Sequence, residues 1–136
     1  MSLRSKLFNI IHNTLFYVWI NTFRSLVPQV SGVRRAGSAA LDLAYVACGR
    51  YDGFWEMHLQ PWDLVAGSLI AQESGALVGN FLGDEGFLES GNIVAASPKI
   101  YPLLLEVLGA ADVVVARGLG RDVDPDRAPG RASRDR

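Results

Sequence analysis

The chain has 136 residues, 49% of them hydrophobic and 20% charged, with a formal net charge of -1. That composition fits one soluble globular domain at most and makes no electrostatic case for a nucleic-acid partner. The single cysteine, Cys48, excludes an internal disulfide; within the apolar run Ala44-Tyr45-Val46-Ala47-Cys48 it is expected to be a buried, reduced thiol, which points to a cytoplasmic compartment.

The first twenty residues, MSLRSKLFNIIHNTLFYVWI, join Arg4 and Lys6 to an apolar stretch. Asn9, His12, Asn13 and Thr14 interrupt that stretch well short of the roughly 18 apolar residues a membrane span requires, and no small-residue cleavage site follows it. A helix leaning on an apolar surface is expected, without a membrane span. Val33 to Ala36 reads as a short strand, and Ser38 as the N-cap of a helix over the nearly all-apolar AALDLAYVAC, which Gly49 can end. Asp42, in the first turn of that helix, is expected to complement its N-terminus. Of Arg34 and Arg35, which precede it, at least one belongs to solvated surface and one is placed to face an anion.

A turn at Asp52-Gly53 leads into a strand from Phe54 to Met57, whose aromatic residues suit a pleated, packed surface. Pro61 fits the first turn of a second helix and Gly75 the position just past its end. Trp62, Val65, Ala66, Leu69 and Ile70 space themselves along one side of that helix, which is expected to face the core. Ala76 to Phe81 reads as a strand, Gly83 to Gly91 as a loop with solvated Asp84, Glu85 and Glu89, and Asn92 to Ala96 as another strand. Pro98 opens a final helix, Lys99 to Leu108. After Val115 apolar periodicity stops, so disorder is expected from about Arg117; in such a segment neither GLG at 118–120 nor DPDR at 124–127 can form a cofactor or metal site. The alternation of strand and helix predicts an α/β sheet layered with helices.

Two carboxylates stand out, Glu56 near a strand end and Asp63 in the first turn of the helix that follows. A helix N-terminus stabilises a carboxylate such as Asp63 by about 0.3 to 1 kcal/mol, so periodicity leaves it open as a cap or a ligand. Gly37, Ser38 and Ala39 form a second junction, whose small residues and free backbone N–H groups can cradle a phosphate or hydroxyl, or can simply start a capped helix. His58 is expected to be a partly exposed residue at the strand end.

The stretch GSAALDLAYVACGRYDGFWEMHLQPWDLVAGSLIAQESGALV resembles the C-terminal signature of the inositol monophosphatase family, with SGNIVAASPKI following at the proper separation. Its hallmark is Trp62-Asp63 with Ala66-Gly67, an apolar pair, and Glu73-Ser74-Gly75, where Ala76 replaces the usual second glycine. The resemblance implies a Mg²⁺-dependent phosphomonoesterase that hydrolyses myo-inositol monophosphate to inositol and phosphate. It makes Asp63 a ligand of the second magnesium, Glu56 an acceptor for ring hydroxyls, and Gly37, Ser38 and Ala39 the turn that meets phosphate and ring. Similar proteins are often homodimers, and the resemblance carries a homodimer over as an expectation.

The resemblance covers about residues 21–108, the C-terminal α/β half of that fold. Residues 1–20 then form a non-family apolar segment and 109–136 a disordered tail rich in Arg, Asp, Gly and Pro. The family's Asp-Pro-x-Asp-Gly-Thr/Ser motif, which supplies the first metal's aspartates, is not in the sequence. The expectation is a chain lacking the N-terminal half and inactive alone. Two other readings stay open: a non-catalytic interaction module, or a phosphatase of related sugar or nucleotide phosphates.

Overall fold

The computed structural model describes residues 16–118, which fall into two compact units, 16–33 with 107–118 and 34–106. The targeting-like stretch up to residue 15 and the tail from residue 119 lie outside the described residues.

In the first unit, helix α1 covers residues 16–26 and buries Val18 and Thr22. Trp19 and Phe23, four apart and so on one helical face, stack with ring centroids 5.2 Å apart. A short 3-10 turn, Val27–Gln29, follows, with Pro28 in its opening positions.

The second unit is built on a three-stranded sheet of β1 (Gly53–Glu56), β2 (Leu77–Gly79) and β3 (Ile93–Ala96), in the order β1-β3-β2 with both pairings antiparallel. Because β3 is the central strand, all four of its residues are buried. Period-two alternation sends Ile93 and Ala95 to one face, where they meet Leu43, Val46, Leu64 and Phe87. That face is covered by helix α2 (Ala39–Ala47) and helix α3 (Pro61–Glu73), with the single turn α4 (Phe87–Ser90) at its edge. The opposite face meets the start of helix α5 (Tyr101–Gly118), where Leu104 lies against Gly53 and the Tyr101 hydroxyl against Gly79.

Several expectations are revised. Val33–Ala36 is not a strand of the sheet, and β2 is three residues, not six. The loop before β3 contains α4, closed by Gly91 in the left-handed conformation at φ 70°. Helix α5 runs to Gly118, well past Leu108, because the Val113-Val114-Val115 run continues its apolar character. Cys48 is exposed, not buried, since it caps the C-terminal end of α2 where the chain turns outward at Gly49 (φ 74°).

The largest revision concerns α3. Trp62, Val65, Leu69 and Ile70 are exposed, Trp62 by 78%, while Leu64, Gly67, Ser68 and Ala71 face inward. The helix is apolar nearly all round, so spacing could not rank its faces; small residues did. A Cβ on Gly67 would stand 2.8 Å from both Cβ and Cδ1 of Leu43, so the missing side chain is what lets α3 close on α2.

Candidate functional site

Three element ends carry the polar residues: the turn into α2, the last residue of β1, and the first turn of α3. Gly37 adopts φ 84° with open space around its Cα, a conformation that side-chain-bearing residues rarely take. Ser38 then takes extended angles as the N-cap, and its carbonyl accepts the Asp42 N–H at 2.9 Å, although the Ser38 hydroxyl makes no capping hydrogen bond. Gly37 and Ser38 are exposed, and Ala39 is buried.

Glu56 ends β1, opposite Ile93 on β3. Its Oε1 receives Nη1 of Arg35 at 2.6 Å, the Glu56 side chain being 16% exposed and the Arg35 side chain 58%. Of the two arginines before α2, Arg35 faces an anion, and that anion is the Glu56 carboxylate.

Asp42 stands in the first turn of α2 as expected, but as a buried group, 4% exposed, whose Oδ1 has no hydrogen-bond partner. Burial pushes its carboxyl above the usual aspartate range, and the nearby Glu56 charge adds to that push while Arg35 opposes it. Sequence reasoning missed this role. The available signal was a lone carboxylate inside the run AALDLAYVA, where a helix apolar on all sides leaves it no solvated face.

Asp63 is the third residue of α3, and its Oδ2 accepts the Gln60 N–H at 3.1 Å, while its own N–H donates to the Gln60 carbonyl at 2.9 Å. It therefore does serve as part of a helix cap. The connection that delivers it is pinned from outside. His58 N–H donates to Asn92 Oδ1 at 3.2 Å and Leu59 N–H to the Gly91 carbonyl at 2.9 Å, and a Cβ on Gly91 would collide with the Leu59 carbonyl. His58 is exposed and sits at φ 57°, a left-handed conformation unusual outside glycine.

The structure thus brings Arg35, Glu56 and Asp42 together, and holds Asp63 within its own helix start, without an ion pair or hydrogen bond to Glu56 or Arg35 among the described residues. Nor is there, among those residues, a group of three His, Cys, Asp or Glu side chains that could hold a metal ion. Mg²⁺ prefers a near-octahedral set of oxygens with one or two carboxylates and bound phosphate. Asp63, with one oxygen engaged by the cap, does not make such a site by itself.

The family model described as "Inositol monophosphatase family" matches residues 5–112. This chain belongs to the inositol monophosphatase family. The match begins upstream of residue 21 and so takes in most of the segment that precedes it in sequence. The Nus factor SuhB of Pseudomonas aeruginosa is 56% identical over 90 residues, which is 66% of this chain and 33% of that protein. Among solved structures, the extragenic suppressor protein suhB from Bartonella henselae superposes with a TM-score of 0.66 at 44% identity, covering 67% of this chain and 35% of that one. The inositol monophosphatase from Anabaena (Nostoc) gives a TM-score of 0.62 at 43% identity, over 65% of this chain and 35% of that one. The chain spans about a third of the length of these relatives. Its mixed helix and sheet architecture is a portion of the inositol monophosphatase fold, and no helix among the described residues is long and apolar enough to cross a membrane.

Proposed function

We propose that this chain forms the polyol- and phosphate-facing wall of a phosphomonoesterase acting on myo-inositol monophosphate. The observation that carries the reading is the Glu56 carboxylate, fixed at the end of β1 by Arg35 at 2.6 Å in a member of the inositol monophosphatase family. A carboxylate can accept hydrogen bonds from two ring hydroxyls, and a site built to pair a hydroxyl rejects analogues that lack it. Arg35, more than half exposed, is able to swing toward an incoming phosphate, for which a guanidinium is a good bidentate donor. The exposed turn Gly37-Ser38 offers backbone N–H groups to phosphate or ring, with Ala39 seating the helix behind it.

In the same reading Asp63 contributes one carboxylate oxygen to Mg²⁺ in the whole protein, the remaining ligands coming from outside the described residues. This is why the chain alone is expected to bind substrate without turning it over. A cytoplasmic location and homodimeric assembly go with the reading, and a related sugar or nucleotide phosphate is its alternative substrate class.

A second reading, a binding role without catalysis, is favoured by the row of exposed apolar residues on α3 and by relatives that carry the name Nus factor. One experiment separates the two. Phosphate release from, and calorimetric binding of, myo-inositol monophosphate are measured with Mg²⁺ for the wild-type chain, Asp63→Asn and Glu56→Gln. Binding without release by the wild-type chain, weakened in Glu56→Gln, supports the phosphatase wall; Mg²⁺-dependent release that is lost in Asp63→Asn would instead overturn the expectation that the remaining metal ligands come from outside the described residues. Neither binding nor release by the wild-type chain overturns the first reading in favour of the second.

A further inference from the structure

We propose that Asn92 is a positioning residue for the candidate site: its side-chain oxygen holds the left-handed turn at His58 and thereby sets how the carboxylates of Glu56 and Asp63 stand to one another. The proposal rests on the reading of those two carboxylates given above.

Residues 57–62 are all that joins the end of β1 to Asp63. Both ends of that connection are fixed. Glu56 is paired with Ile93 in the sheet, and Gln60 is tied to Asp63 by the two hydrogen bonds of the cap. Between them the chain turns at His58, with φ 57°. A residue with a Cβ does not hold that conformation unaided. The His58 imidazole makes no hydrogen bond or ion pair among the described residues, so the restraint lies in the backbone. His58 N–H donates to Asn92 Oδ1 at 3.2 Å, and the next N–H, of Leu59, donates to the Gly91 carbonyl at 2.9 Å.

Asn92 can anchor the connection because it is itself held. Its own N–H donates to Ser90 Oγ at 3.2 Å, the Ser90 hydroxyl donates to the Gly86 carbonyl at 2.8 Å, and the Gly91 N–H donates to the carbonyl of Phe87, a core residue. The turn at 86–92 is therefore fastened to the core, and the Asn92 side chain extends that fastening to the connection. The bond to His58 is exposed, so water can take its place when the side chain is removed. The fold then survives, and only the placing of the two carboxylates changes.

The test uses the full chain, labelled for NMR. Scalar couplings read the sign of φ at His58, residual dipolar couplings read the orientation of residues 56–63, and calorimetry reads binding of myo-inositol monophosphate. Asn92→Ala is expected to move His58 out of the left-handed region and reorient residues 57–60, with the couplings of β3 and the body of α3 unchanged. Binding should weaken about tenfold. Asn92→Asp, which keeps an oxygen acceptor at the same place, is expected to restore the His58 φ. If Asn92→Ala does not fold, Asn92→Ser, whose oxygen stands one bond nearer the backbone, takes its place in every readout. A His58 that stays left-handed without the Asn92 side chain, an Asn92→Asp as displaced as Asn92→Ala, or wild-type affinity in a chain whose turn has been lost overturns the proposal. Displacement of the turn in a chain that binds no inositol phosphate even as wild type would uphold the positioning and overturn the substrate reading instead.

Discussion

Arg35 and Glu56, twenty-one residues apart in sequence, close an ion pair at 2.6 Å that ties the segment entering α2 to the end of β1. Because the Arg35 side chain is 58% exposed, water and salt screen the pair. Arg35→Gln is expected to lower unfolding free energy by less than about 1 kcal/mol, with the difference shrinking in high salt. Urea unfolding at two ionic strengths measures this, and a loss of several kcal/mol would show that the pair is a structural element of the core.

Asp42 gives the fold a pH dependence of known sign. Its folded carboxyl binds the proton more tightly than the unfolded one, so its contribution is fully present below the ordinary aspartate value of 3.8 and is lost as pH rises through the raised folded value. Against Asp42→Asn, which cannot titrate, wild-type stability should decline over that window. Denaturant midpoints for both proteins through the acidic range give the comparison directly, and parallel curves would contradict it.

The two sides of α3 should respond oppositely to truncation. Leu64 is fully buried in the cluster with Leu43 and Ile93, so Leu64→Ala is expected to cost about 2 to 5 kcal/mol. Leu69 is 57% exposed, and Leu69→Ala should stay within about 0.5 kcal/mol. Equal costs, measured by thermal or urea unfolding, would return the Trp62–Val65–Leu69 side to the core.

Gly67→Ala is the complementary test by addition. The new methyl would meet Leu43 Cβ, bonded to the backbone of a packed helix, and Cδ1, the end of a fully buried side chain, both at 2.8 Å. A loss of about 1 to 3 kcal/mol is expected, read as a lower Tm with helix content retained; no loss would mean that α2 and α3 separate easily.

At His58 a gain is expected. With φ at 57°, a residue carrying Cβ crowds its own carbonyl, and glycine removes the crowding at the cost of a more flexible unfolded chain. His58→Gly should raise stability by up to about 1 kcal/mol, and a decrease would indicate that the His58 side chain makes a compensating contact.

Much of this architecture is local and could be read from residues alone. Pro61 at the start of α3 and Gly75 at φ 91° after its end mark that helix because ring closure fixes the proline φ, while the missing Cβ lets glycine take a left-handed φ that other residues avoid. The same holds for Gly49 after α2 and for the β-branched, apolar Ile93-Val94 that start the central strand. The motif around Trp62-Asp63 carried the family, and the family model agrees. Asp63 could be placed at a helix start, with its capping oxygen, for the same local reason.

Tertiary structure decided the rest. Which side of α3 is buried depended on Gly67 meeting Leu43 across two helices, a contact that hydrophobic spacing along one helix does not encode. The exposure of Cys48 followed from where α2 ends relative to the sheet, not from its apolar neighbours. Arg35, Asp42 and Glu56 lie in three different segments, and only the packing of α2 on β1 makes one charge problem of them. Sequence by itself determined the start and end signals of α2 and α3, because backbone preferences are properties of single residues. The site's electrostatics belong to the fold, because the strength of a charge interaction is set by distance and lost water, and both exist only once the chain has closed.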